Sequence, residues 1–434
     1  MTRGARRPRS AASIIGAALL AVALAGCSPN GPTPSTSASA SGPPTNEPSS
    51  TPAPSASPAD QAAIYREIAD QVAALRELDI RRRLDPTILD EAELAAKLRE
   101  LFDEANPADE VAAGERLLVA LGLLEPGASL RDDYLDLQSG QVLGFYIPEE
   151  DSMWLARRFG ALGATERATF AHEYVHALQD QHFELDGLGA EDPSSSDRAL
   201  AALALIEGDA TFAQTRWMLA NFSAADIEQL IADASDPEVL ASIERAPAIL
   251  SETALFPYGA GLQFIAALFG TGGWAAVDAA YDDPPETTEQ ILHPEKYLAG
   301  EGTSPPFEEA PLAYLEAAGP GWSAGEADTL GELVLELWLR ENGVFTVDTT
   351  DAAAGWGADR VVLFEGPGGA HVVVLFTDWD SAADADEFEA ASRAAVAEQP
   401  SSEIIRLTDT QTIIVFGTDA AGVVRIAGQV RMGG

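Results

Sequence analysis

The chain has a single cysteine, Cys27. No disulfide can therefore form within it. Basic residues are scarce: 26 Lys and Arg stand against 69 Asp and Glu, a formal net charge of −43. A nucleic-acid partner needs a basic face, so that class of function is set aside. The bland reading of the acidity is solubility after export, and it carries no substrate preference. Beyond the N-terminal segment, no stretch reads as apolar for long enough to span a bilayer. Internal repeats are absent. Histidines number only five in 434 residues, and two of them lie four positions apart.

What is present begins with Arg3, Arg6, Arg7 and Arg9, then an apolar run from Ala11 to Ala25 that ends "LAGC" at Leu24 to Cys27. This pattern reads as an export signal, residues 1–27, to be left out of fold reasoning. Its removal takes four arginines with it and leaves −47. "LAGC" resembles the lipobox of bacterial lipoproteins, in which the cysteine becomes the lipidated first residue. That resemblance implies a chain exported and anchored through Cys27 to the outer face of the cell membrane. Residues 28–58 are Ser, Pro, Thr and Ala with almost no charge. They cannot bury enough apolar surface to offset their ordering entropy, and read as a disordered tether. The remainder allows two or three domains.

The histidine pair sits in "ERATFAHEYVHALQDQ", Glu166 to Gln181. No Gly or Pro interrupts the run, and Phe170, Tyr174, Val175 and Leu178 give it apolar faces, so it reads as a helix. His172 and His176, at i and i+4, share a helix face about 5–6 Å apart at Cβ. Two imidazoles so placed can converge on one ion. Glu173 stands at the edge of that face, where it can act as a general base. This is the HExxH pattern, two zinc ligands and a base, and it needs a third ligand. A helix expected over Arg198 to Leu219 carries Glu207 among alanines and leucines. A carboxylate there is costly unless it is paired or bound to metal. Glu207 is the candidate third ligand, with His182 and Asp209 as rivals.

Around this core the chain is expected to be helical from Asp60 to Leu124, with an Asp90-x-x-Glu93 capping box. A hairpin is expected over Gly140 to Leu155. Strands just before such a motif helix can add an extended substrate as a further strand. An amphipathic helix is read over Phe256 to Gly270, with Tyr258 opening it after Pro257. A short helix follows, capped by Thr287-x-x-Gln290, and Pro294 stops it after His293. Beyond Gly321 the pattern is a helix, "ELVLELWL", followed by β-β-α-β-β-β, the last strand being "VVRIAGQV". That spells an α+β unit with an antiparallel sheet. His371 reads as structural.

Taken together, His172, Glu173, His176 and the downstream glutamate resemble the gluzincin class of zinc metallopeptidases. The strings "HEYVHALQDQ", "EGDA" and "PPETTEQILHPEKY" are similar to a narrower family of predicted bacterial metallopeptidases, often lipoproteins, over Ala59 to Leu298. The resemblance implies an α+β protein: a mainly helical zincin-like domain with a small sheet, residues 59–320, and a C-terminal α+β unit, residues 321–434. It implies Zn2+ held by His172, His176 and Glu207, Glu173 as base, and a peptide or protein substrate. Many gluzincins place an Asp four residues after the ligand Glu to brace a ligand imidazole. Here that position is Thr211, and Asp180, one turn past His176, is the expected brace. Tyr258 and His293 are the candidate oxyanion donors. The competing class is a non-catalytic envelope lipoprotein with a relic or structural zinc site that binds a partner.

Overall fold

A computed structural model of the chain describes residues 17–19 and 58–433, apart from 158–161, 184, 191–194, 303–309 and 346. Cys27 and the tether as far as residue 57 lie outside the described residues. The first long helix, Pro58–Arg76, buries Ile68 and Val72, one helical turn apart. Asp90 and Glu93 form the capping box that opens Glu91–Ala105. Gly122 closes Ala108–Leu121 at φ +75°, a left-handed position that glycine takes without strain. The hairpin is Val142–Ile147 and Ser152–Ala156, with Asp151 in the turn at φ +50°. It sits within a four-stranded sheet. Thr87–Leu89 pairs in parallel with the second hairpin strand, and Ala17–Leu19 pairs antiparallel with the first.

Three helices form the centre. The motif helix, Ala164–His182, is buried almost from end to end. It packs on the Glu207 helix, Ser196–Asn221, which packs in turn along the Tyr258 helix, Ala248–Gly272. The Tyr258 helix begins eight residues earlier than its sequence pattern suggests, and Pro257 lies inside it. A mid-helix proline costs a hydrogen bond and a clash, roughly 3 kcal/mol. Ile249 and Phe256 before it, and Phe264, Ile265 and Leu268 after it, are all buried. That apolar burial on both sides outweighs the defect. By length and composition alone this helix could cross a membrane. Its place beside the Glu207 helix makes it a core helix of the fold.

The C-terminal sheet has five antiparallel strands in the order Ser323–Asp328, Trp356–Glu365, His371–Trp379, Gln411–Gly417, Ser401–Arg406. Its side chains alternate over 361–364, 372–376 and 413–416, away from the register shifts at 324/327 and 356/358. Val361, Leu363, Val373, Leu375, Ile414 and Phe416 face the main core, shared with helix Gly331–Glu341 and with the three central helices. Val362, Phe364, Val374 and Val415 face a second core on the other side. Both faces are apolar, so both need a cover. Here the expectation of a final strand fails: "VVRIAGQV" lies in a helix, Ala420–Gly433. It buries Val423, Ile426, Ala427 and Val430 on the second core while Val424 is exposed. That is a 3.6-residue period, and the demand for a second helical layer overrides the β-branched composition. Strand Ser323–Asp328 and the short helix Thr349–Ala353 were not read from sequence, while helix Gly331–Glu341, the next two strands, helix Ala382–Ala395 and strands Ser401–Arg406 and Gln411–Gly417 follow the pattern.

Candidate metal centre

His172 and His176 project from the motif helix toward the Glu207 helix. His172 Nε2 lies 3.1 Å from His176 Nε2 and 3.1 Å from Glu207 Oε2. His176 Nε2 lies 3.3 Å from the same carboxylate oxygen. The three atoms form a near-equilateral triangle. An ion bound tetrahedrally at 2.0–2.1 Å has ligand atoms about 3.3 Å apart, so the triangle matches one face of such a shell. These three residues form a buried cluster able to hold a metal ion. Among the described residues no fourth His, Cys, Asp or Glu joins them.

Burial alone would raise the Glu207 carboxyl, but the two imidazoles outweigh it and hold it down at about 2. Burial would likewise lower His176, yet the Glu207 charge lifts it to about 9. His172 is lowered, burial leading. The trio is thus a preformed anion between two nitrogens. Glu173 is fully buried, and neither carboxylate oxygen makes a well-formed hydrogen bond. Burial pushes it up to about 8, against the pull of His176. A buried, unsatisfied acid costs about 1–3 kcal/mol, so its presence calls for a role. Tyr258 is buried over His172, ring centroids 6.0 Å apart and planes at 28°.

The other sequence candidates separate cleanly. His182 Nε2 meets the Asp79 carbonyl at 2.8 Å, away from the trio. Asp209 takes Arg76 Nε at 2.7 Å. His293 Nε2 meets Glu332 Oε1 at 2.9 Å, and its other nitrogen is 3.9 Å from Glu295. Neither nitrogen touches the trio or Glu173. Pro294 does not end helicity either: it opens a further short helix, Pro294–Ala299, because proline suits a first helical turn. Asp180 does not brace His176. It accepts the Tyr146 hydroxyl at 2.7 Å, while Gln179 Oε1 stands 2.8 Å from His176 Nδ1. A residue three positions on is as close across a helix face as one four positions on. Thr211 Oγ1 is buried and has no hydrogen-bond partner among the described residues, so it braces neither imidazole.

Sequence reading missed Gln179, Arg76 and Tyr281. Gln179 carried a signal, its i+3 spacing from His176. Arg76 and Tyr281 carried none, since each is brought in by another helix.

Comparison with known families touches only the far end of the chain. Residues 320–432 match a family described as a domain of unknown function, DUF8575. That span is the C-terminal unit and contains none of the trio. No curated protein and no solved structure matches the chain.

Proposed function

We propose that the protein is a zinc metallopeptidase of the bacterial cell envelope, gluzincin-like in its ligands, cleaving peptide bonds in extended chains. Glu173 carries this reading. It is a buried acid without a well-formed hydrogen bond, held beside three metal-binding atoms. Two imidazoles and one carboxylate suit zinc, with His176 giving up its proton as the ion binds.

A bound ion would supply Lewis acidity to a scissile carbonyl and to a water molecule. In its ionised form, which a bound cation would favour, Glu173 takes one proton from that water as the water oxygen bonds to the carbonyl carbon. It returns the proton to the amine nitrogen as the C–N bond breaks. Tyr258, whose ring lies 6.0 Å from that of His172, is our candidate donor to the developing oxyanion. The outer edge of strand Val142–Ile147 supports an extended substrate. In the full chain that edge pairs with Ala17–Leu19, and loss of the signal peptide would free it for another chain.

Burial of the whole trio favours a second reading, a closed structural site in a partner-binding lipoprotein. A structural zinc site takes four protein ligands, and the described residues offer three. A peptide-library digest with and without chelator separates the two. Glu173→Gln should keep zinc and fold and lose most turnover. Equal cleavage by that variant would place the activity elsewhere. Zinc binding with no zinc-dependent cleavage would favour the structural site.

A further inference from the structure

We propose that Gln179 is a positioning residue that fixes the tautomer of His176, and that Asp209 and Arg76 act on the centre through it. The relay rests on the reading of the trio as a zinc site.

His176 can offer Nε2 to an ion only if its ring proton sits on Nδ1. Nδ1 faces Gln179. An amide can present either its oxygen or its NH2, and only the surrounding hydrogen bonds decide which. Gln179 Nε2 lies 3.0 Å from Asp209 Oδ2 and 2.9 Å from the Ile206 carbonyl. A carboxylate paired with Arg76 and a carbonyl have no proton to give, and the Tyr281 hydroxyl, 2.8 Å from Gln179 Nε2, directs its own proton to Asp209 Oδ2. A flipped amide would set oxygen against both. The NH2 is therefore locked on that side, Oε1 faces His176, and the imidazole donates from Nδ1.

Asp209 is fixed as the acceptor from behind. Arg76 Nε and Nη2 reach its two oxygens at 2.7 and 3.1 Å, and the Tyr281 hydroxyl donates to Oδ2 at 2.8 Å. Arg76 is fully buried, lies 4.3 Å from the Trp274 ring centroid and pairs with Asp278 at 2.7 Å. The chain Arg76–Asp209–Gln179–His176 thus runs from the end of the first helix to Nδ1 of a ligand histidine, the nitrogen opposite the one that faces the trio. It differs from a carboxylate brace, because its last member is neutral. The carboxylate is one step removed, and its charge is already met by Arg76. A metal centre with Glu207 and Glu173 beside it gains no third anion.

The test is zinc affinity by chelator competition on the full-length protein. Loss of a group that orients a ligand histidine weakens metal binding about 10–100-fold, and Gln179→Met should fall in that range while melting lower than wild type yet remaining folded at the assay temperature. Asp209→Asn should weaken binding in the same direction. The double variant should bind no more weakly than Gln179→Met alone, because Asp209 acts through Gln179. In zinc-loaded protein labelled with 15N-histidine, wild type should show a slowly exchanging Nδ1 proton on His176 that Gln179→Met loses. If Asp209→Asn fails to fold, Gln179→Met carries the test alone. Wild-type affinity and proton exchange in Gln179→Met overturn the relay and leave the zinc site standing. A wild type that binds no zinc overturns both. Losses in the double variant that multiply would show Asp209 acting independently and overturn the relay.

Discussion

Gly208 and Gly261 hold the Glu207 helix and the Tyr258 helix in backbone contact. A Cβ on Gly208 would stand 2.4 Å from the Gly261 backbone, and one on Gly261 would stand 2.3 Å from the Ala204 carbonyl oxygen. No flexible side chain can yield there. The contact lies next to Glu207 and three residues from Tyr258, so it sets the distance between the third ligand and the ring over His172.

Gly261→Ala should therefore lower both stability and zinc affinity. Helix propensity favours the change by about 1 kcal/mol, but overpacking against backbone costs about 1–3 kcal/mol, and the clash should win. Gly270 lies in the same helix, and a Cβ there would meet nothing within 4 Å. Gly270→Ala should raise the unfolding midpoint slightly. Paired denaturation curves decide the matter: a stabilised Gly261→Ala would mean the helices are free to part.

The ligand set is tested by metal content. Glu207→Ala removes one corner of the triangle and leaves two nitrogens 3.1 Å apart with no anion between them. Zinc per chain should fall sharply in that variant. His182→Ala should keep full zinc, since its ring meets the Asp79 carbonyl and lies away from the trio. A folded Glu207→Ala protein with full zinc would remove Glu207 from the site.

Much of the site was legible because it lies on one helix and its nearest neighbour in sequence. His172, Glu173 and His176 follow from helical spacing, and Glu207 from an acid in an alanine-rich run, with Asp209 two residues on as its rival and the resemblance favouring Glu207. Gln179 was nearly visible, but spacing alone could not choose it over Asp180. The choice is made by Asp209, on the Glu207 helix itself, and by Tyr281, which arrives from a helix far along the chain. His293 misled for a related reason. A polar residue fixed by a cap and a proline looks poised for chemistry, and its true partner, Glu332, lies in the C-terminal unit. The final helix misled because β-branched residues at 423–430 suit a strand locally, and only the sheet's two apolar faces reveal the need for a cover.

His293 should accordingly act on stability. The Glu332 hydrogen bond raises its pKa, and Glu332 is buried with its second oxygen unpartnered. His293→Ala strands that acid and should cost about 1–3 kcal/mol. A raised histidine stabilises fully below its unfolded pKa, about 6.5, and less as pH rises through the folded value. The melting-temperature loss should thus be larger at pH 6 than at pH 9, with kcat nearly unchanged. Tyr258→Phe should show the opposite pattern, a kcat loss of about 10²–10³ with little change in melting. A kcat collapse in His293→Ala at unchanged stability would restore His293 as the donor.

The same junction holds acids of opposite consequence. Asp197, in the first turn of the Glu207 helix, accepts the Thr288 backbone N–H at 2.9 Å and its hydroxyl at 2.6 Å on Oδ1, while Oδ2 has no partner. A Cβ on Gly331, at φ +76°, would stand 1.8 Å from Oδ1, so the acid is sealed in by the C-terminal unit. Burial pushes Asp197 up to about 8, with Asp359 and Asp328 adding to the rise. Asp359, which accepts the Leu330 and Gly331 N–H groups, is itself pushed to about 7 by burial. An acid whose folded pKa exceeds its unfolded value, about 3.9 for Asp, binds more protons when folded. Its stabilisation is complete below pH 4 and is lost as pH rises toward 8, at no more than about 1.4 kcal/mol per pH unit for one proton. Chemical denaturation at pH 5, 6.5 and 8 should show stability falling across the series. Asp197→Asn keeps the Oδ1 acceptor and cannot ionise, so its series should be flatter. Parallel curves for wild type and Asp197→Asn would mean that Asp197 is ionised in the folded protein, with Thr288 alone sufficient to hold its charge.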